Sequence, residues 1–77
     1  MSNERRIKTI ERSDGKARLF IYERADGLYR FEGESEQEED GEVFVAPSDF
    51  SGLYESAEAA EQAASMNIFW LRRQLAK

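Results

Sequence analysis

The chain contains neither cysteine nor histidine. Without cysteine there is no disulfide, no thiolate metal ligand and no thiol nucleophile. Without histidine, imidazole acid–base chemistry and the usual nitrogen ligands of zinc are gone as well. Proline occurs once, as Pro47. No apolar run approaches the roughly 18 residues that mark a membrane span. Met1 to Ile10 is polar and charged, without the apolar stretch of a secretory signal. These absences predict a cytoplasmic protein with no membrane partner, and they suit a reducing compartment. They also leave 77 residues to fold as a single domain, 1–77, without any staple. Stability is then expected from an apolar core and from self-association.

Aromatic side chains are in good supply: Phe20, Tyr22, Tyr29, Phe31, Phe44, Phe50, Tyr54, Phe69 and Trp70. The net charge is −5, but it is unevenly spread. Residues 1–18 carry six basic and three acidic side chains, residues 19–62 two basic and thirteen acidic, and residues 63–77 three basic and none acidic. An acidic balance opposes non-specific nucleic-acid binding, which needs lysine and arginine to neutralise phosphates. Nucleic acid is therefore the disfavoured partner. Two nucleic-acid readings still follow from the distribution. Arg5, Arg6, Lys8, Arg72 and Arg73 form a local basic patch in one. In the other, the acidic middle mimics a phosphate backbone.

Two near-identical segments, Glu11-Arg12-Ser13-Asp14-Gly15 and Glu23-Arg24-Ala25-Asp26-Gly27, read as hairpin turns rather than as a repeat. Taken as two-residue turns, the first pairs Glu11 with Arg18, Ile10 with Leu19 and Ile7 with Tyr22. The second pairs Glu23 with Arg30 and Tyr22 with Phe31. Phe20, Tyr22, Tyr29 and Phe31 then share one face, either as core or as a stacking platform for single-stranded RNA. The strand at 17–24 is apolar on both faces, which predicts a central strand. Residues 33–42 hold no apolar side chain and dense negative charge, and are expected to form an acidic flexible loop. Glu42 to Ala46 alternates Val43 and Val45 against Phe44 and reads as a short strand that Pro47 should end. Pro47 to Tyr54 should form an ordered loop that holds Phe50, Leu53 and Tyr54 against the body.

Ser56 is a suitable N-cap for a helix rich in alanine and glutamate. Ala60, Ala64, Ile68, Leu71 and Leu75 lie on one stripe at helical spacing, with Met66, Phe69 and Trp70 beside it. Such a wide apolar arc implies either a deep groove or a partner. A break near Asn67, turning residues 68–71 into a separate plug, is the other option. Met66, Phe69, Trp70 and Arg73 are the candidate partner surface, since aromatics and methionine are enriched at interfaces.

No catalytic set emerges. Glu36, Glu38, Asp40 and Gly41 echo the opening of a calcium loop, but Pro47 stands where the closing glutamate belongs. The serines have no base, and no phosphate loop or dinucleotide fingerprint occurs. No cofactor and no metal are expected, and the chain reads as a non-enzyme.

From Phe20 onward the chain resembles the small bacterial YegP-like domains. The likeness rests on Phe20-Ile21-Tyr22, the turn at Gly27, Tyr29-Arg30-Phe31, Gly41-Glu42-Val43 and Tyr54-Glu55-Ser56-Ala57-Glu58-Ala59-Ala60. It implies a curved antiparallel sheet carrying a helix, and it brings no activity and no catalytic residues. The acidic stretch at 33–42, the N-terminal strand and the aromatic C-terminus depart from that pattern. The expected architecture is α+β: three to four antiparallel strands in the order β-β-β-β-α, with one C-terminal helix on one sheet face. The expected function is a small non-enzymatic protein-interaction module that binds a protein partner or itself as a homodimer, with nucleic-acid-related activity as the alternative.

Overall fold

A computed structural model describes residues 4–75, although not the side chain of Leu75. Four strands, β1 (Glu4–Glu11), β2 (Ala17–Arg24), β3 (Tyr29–Glu39) and β4 (Glu42–Phe50), form one antiparallel sheet in sequence order. Two short helices follow, α1 (Ala57–Asn67) and α2 (Phe69–Leu75). The α+β class and the meander are as expected. The single helix is not, because the chain leaves helical geometry at Ile68 (φ −108°, ψ 110°).

The two similar turns share their local bonding. Arg12 pairs with Asp14, and Arg24 with Asp26. Each aspartate accepts a backbone N–H two residues on, from Lys16 and Leu28. The turns differ in length by one residue. Arg12 N–H closes on Ala17 O, whereas Arg24 N–H closes on Leu28 O. The first loop, 13–16, has the same parity as a two-residue turn, so Glu11↔Arg18 and Ile10↔Leu19 pair as expected. The second loop, 25–27, has three residues, with Gly27 in the left-handed region at φ 84°. That odd count slides β3 by one position and exchanges its faces. Ile21 now pairs with Phe31, and Tyr22 with Arg30.

The four aromatics therefore do not share a face. Leu19, Ile21, Tyr29 and Phe31 lie under the helices, while Phe20 and Tyr22 lie on the opposite, open face. The expected Glu23–Arg30 pair is replaced: Glu23 takes Arg5 and the Tyr29 hydroxyl, and Arg30 takes Glu4 and Glu32. In β1 the register shifts between Arg6 and Lys8, so Arg6 rather than Ile7 faces Tyr22.

Residues 33–42, expected as a loop, instead prolong β3 to Glu39, turn at Asp40-Gly41, and begin β4. Both turn residues have positive φ (53° and 81°), the geometry of a tight two-residue hairpin. Pairing with β4 supplies the backbone bonds that composition alone did not suggest. Pro47 does not end the strand either. It pairs with Glu34 beside a register shift and lies within an edge strand, where a missing N–H is tolerated.

The core is Leu19, Ile21, Phe31, Ala60, Ala64, Ile68 and Leu71, with Trp70, Ile10, Tyr29 and Tyr54 packed against it. Leu19, Ile21 and Leu71 are fully buried, and each such side chain stabilises the fold by about 1.5–3 kcal/mol. Alanines at positions 60 and 64 let α1 approach the sheet closely. The Ser56 hydroxyl accepts the Ala59 N–H and caps α1. The segment after β4 stays beside β3: Ser51 bonds Phe31, and Tyr54 and Tyr29 exchange both backbone bonds at 2.8 Å. Tyr54 also stacks on Phe31 (centroids 6.2 Å apart). Phe50 and Leu53, expected against the body, are exposed. Gln74 ties α2 to the first turn, accepting the Ser13 N–H at 3.0 Å and donating to Glu11 O at 2.9 Å.

Candidate functional site

The sheet has one covered face and one open face, and its two edges differ. On the open face, side chains from three strands interlock. The Arg6 guanidinium lies over the Phe20 ring at 4.2 Å, and Phe20 is buried beneath it. Arg30 of β3 lies over the Tyr22 ring of β2 at 4.4 Å and grips Glu4 of β1 through two bonds of 2.7 and 2.8 Å. Arg18 of β2 pairs with Glu34 of β3 and with Glu11 of β1. The hydrogen bond from Arg30 holds the Glu4 carboxyl below its usual range, and Arg30 is in turn pushed upward. This face is a layer of aromatics under Arg6 and Arg30, and Arg30 and Arg18 are already committed to carboxylates.

The same face changes character toward β4. The carboxylates of β3 follow at every second residue: Glu32, Glu34, Glu36 and Glu38. Glu32 and Glu34 have arginine partners, while Glu36 and Glu38 form no ion pair among the described residues. Beyond them β4 presents Val43 (60% exposed), Val45 (49%) and Phe50 (68%) on this face, and Phe44 (42%) on the other. No β4 residue belongs to the core cluster or packs against it.

The backbone of β4 is open as well. The two-residue turn makes Glu39 and Glu42 a hydrogen-bonded pair, and such pairs alternate along the ladder. Phe44 and Ala46 therefore bond β3, whereas the N–H and C=O of Val43 and Val45 point outward. The bond from Glu36 N–H to Lys16 O, directed toward β2, fixes this parity independently. Pro47 falls on an outward position, so it removes no bond to β3.

The four residues singled out from the sequence are divided. Met66 (72% exposed) and Phe69 (73%) stand in solvent, and Arg73 lies over the Phe69 ring at 5.6 Å. Trp70 packs against the core instead. Phe69, Trp70 and Arg73 line a cleft of about 320 Å³ with Arg12 and Ser13, open to solvent between α2 and the first turn. The β4 edge was missed because residues 33–42, the end of β3 and the turn into β4, read as a loop and left the short strand at 42–46 without a neighbour. The alternation of Val43 and Val45 against Phe44 was legible, but its pairing partner was not.

The basic residues considered as a patch do not share a surface. Arg5 and Lys8 lie on the helix side, paired with Glu23 and Glu61, whereas Arg6 lies on the open side over Phe20. A second cleft, of about 460 Å³, runs between Lys8 and α1 at Ala57, Glu58, Glu61, Gln62 and Ser65. Among the described residues no group of side chains has the arrangement of a metal site, and no buried polar side-chain atom lacks a partner. No helix among them is long and apolar enough to cross a membrane. No family model, no curated protein and no solved structure matches the chain.

Proposed function

We propose that this chain is a small non-enzymatic protein-interaction module whose contact element is the β4 edge. One observation carries the reading: β4 combines outward-facing N–H and C=O groups at Val43 and Val45 with four exposed apolar side chains, Val43, Phe44, Val45 and Phe50. Soluble proteins blunt such edges with charge, proline or cover, because a bare apolar edge recruits another strand. Addition of an extended segment to a sheet edge is a general mode of protein recognition. The exposed pair Met66 and Phe69, with Arg73, supplies a separate and smaller apolar surface. The likeness to YegP-like domains is likewise carried as a proposal, and it adds no activity.

The test compares capture by the tagged protein and by its Val45→Lys variant from a native bacterial lysate. Nuclease-treated and untreated arms are run, and sedimentation of both proteins is measured alongside. A protein retained by the wild type in both arms and lost by the variant supports the reading. Wild-type self-association lost in the variant supports its homodimeric form. No β4-dependent capture and no self-association would overturn it, and nuclease-sensitive capture would move the function to nucleic acid.

A further inference from the structure

We infer that the strand received by β4 is an extended basic peptide of a protein partner, with alternate arginine or lysine side chains laid over Val43 and Val45 toward Glu36 and Glu38. This deepens the interaction-module reading and rests on it.

The open face already contains the required arrangement once. Arg30 starts on β3, crosses the Tyr22 ring on β2, and reaches Glu4 on β1. An arginine thus spans two strand spacings, about 10 Å, with its planar head over an apolar side chain and its bonds on a carboxylate. On the other side of β3 the apolar side chains and the carboxylates are in place, and no cation among the described residues forms an ion pair with Glu36 or Glu38. Val43 and Val45 lie beside Glu38 and Glu36. The nearest lysine, Lys16, lines a shallow cleft of about 230 Å³ with Glu36, Glu38 and Val43 and forms no ion pair there. No lysine or arginine occurs between Arg30 and Arg72. A strand added beyond β4 could place its cations as Arg30 does, while its backbone meets the outward N–H and C=O groups of Val43 and Val45.

Charge also selects against a second copy as the occupant. A second β4 brings the same acidic hairpin and no cation. The basic strand of a second copy is β1, but Arg5 and Lys8 there are held by Glu23 and Glu61, Arg6 covers Phe20, and the register shifts at Ile7. An alternating valine–arginine segment meets all three demands: β propensity, apolar contact and positive charge at every second residue.

The experiment is fluorescence anisotropy at moderate salt with a labelled alternating valine–arginine nonapeptide. Three controls run beside it: the glutamate-for-arginine peptide, the same valine–arginine peptide N-methylated at alternate residues, and oligo-arginine of equal length. The alternating peptide is expected to bind and the controls to fail. The double variant Glu36→Gln, Glu38→Gln should weaken binding about tenfold, and Val45→Lys should abolish it, with circular dichroism confirming both folds. Equal binding of oligo-arginine or of the N-methylated peptide would overturn strand addition. Unchanged affinity in the double variant would overturn the role of the two carboxylates. If a protein is captured from lysate in a Val45-dependent manner and the valine–arginine peptide does not bind, this partner chemistry fails while the module reading stands. If the peptide does not bind and neither capture nor self-association depends on β4, both fail.

Discussion

β1 and β4 are both edge strands, and they treat that exposure differently. β1 carries Glu4, Arg5, Arg6 and Lys8, and its register shifts at Ile7. Its charges are tied inward, to Glu23, Glu61, Arg30 and the Phe20 ring. Those are the devices by which sheets avoid adding a further strand. β4 has Glu42 at its start and Pro47, a register shift and Asp49 in its second half, and between Glu42 and Pro47 it presents Val43, Phe44 and Val45 without a charge. The β1 side is also fastened to the helices, through Lys8–Glu61, the two bonds of Gln74 and the packing of Ile10 on the core, whereas no β4 residue packs against that core. One edge is closed by the fold and the other is open.

The comparison is sharpened by substitutions that should fall in a definite order. Ile21→Ala, at a fully buried position beneath the helices, should cost about 2–5 kcal/mol, read from chemical denaturation. Trp70→Glu places a charge against the core cluster and should destabilise nearly as strongly, by about 3 kcal/mol. If Trp70→Glu leaves stability unchanged, Trp70 belongs to the surface and the assignment of α2 is wrong. Gln74→Ala removes both bonds between α2 and the first turn and should cost about 1 kcal/mol, with faster amide exchange at Ser13. At the small end, Val45→Lys and Phe69→Glu act on exposed side chains and should change stability by less than about 0.5 kcal/mol. A large loss with Val45→Lys would mean that β4 is part of the core, and the contrast between the edges would collapse.

Acid should act on the β1 side. The carboxyls of Glu4, Asp14, Glu23 and Asp26 are all held below their ordinary values of 4.5 for glutamate and 3.8 for aspartate. The causes are bonds from Arg30, from Arg12, from the Tyr29 hydroxyl and Arg5, and from the Leu28 N–H, respectively. A group depressed in the folded state contributes stability that is complete above its unfolded value and is lost as pH falls through its folded value. All four lie in β1, β2 and their turns. The thermal midpoint should therefore decline as pH drops below about 4.5, with amide protection in β1 lost before that in β3. A midpoint that rises on acidification would contradict these ion pairs. Asp14 and Asp26 are exposed and Glu4 and Glu23 half-buried, so added salt should reduce the effect, most at the two aspartates.

Much of this fold was readable from residue patterns. The two Asp-Gly turns, the Ser56 cap and the stripe of Ala60, Ala64, Ile68 and Leu71 each reflect local chemistry, and each appears where expected. The face of β3 was not readable, because it depends on whether the second loop holds two residues or three. Glu-Arg-x-Asp-Gly does not fix that length: with the same internal bonds it opens a four-residue loop in the first turn and a three-residue loop in the second. One residue of difference decided which aromatics became core. The strand at 33–42 was hidden for another reason. Negative charge without apolar residues signals a solvated loop only if no neighbour pairs with the backbone, and here β4 does. The candidate site was obscured with it, because an edge exists only once the strand beside it is recognised. Trp70 illustrates a limit of the wide apolar arc, which mixes core and surface until the break at Ile68 separates them.

The most direct measurement is residue-resolved hydrogen exchange of β4 with and without the alternating valine–arginine peptide. In the free protein, Phe44 and Ala46 N–H should be protected by β3, while Val43 and Val45 N–H exchange rapidly. With peptide bound, protection should appear at Val43 and Val45 and spare β1. Protection at Val43 and Val45 already present in the free protein, or none gained on adding the peptide, would contradict the assignment of β4 as the docking edge.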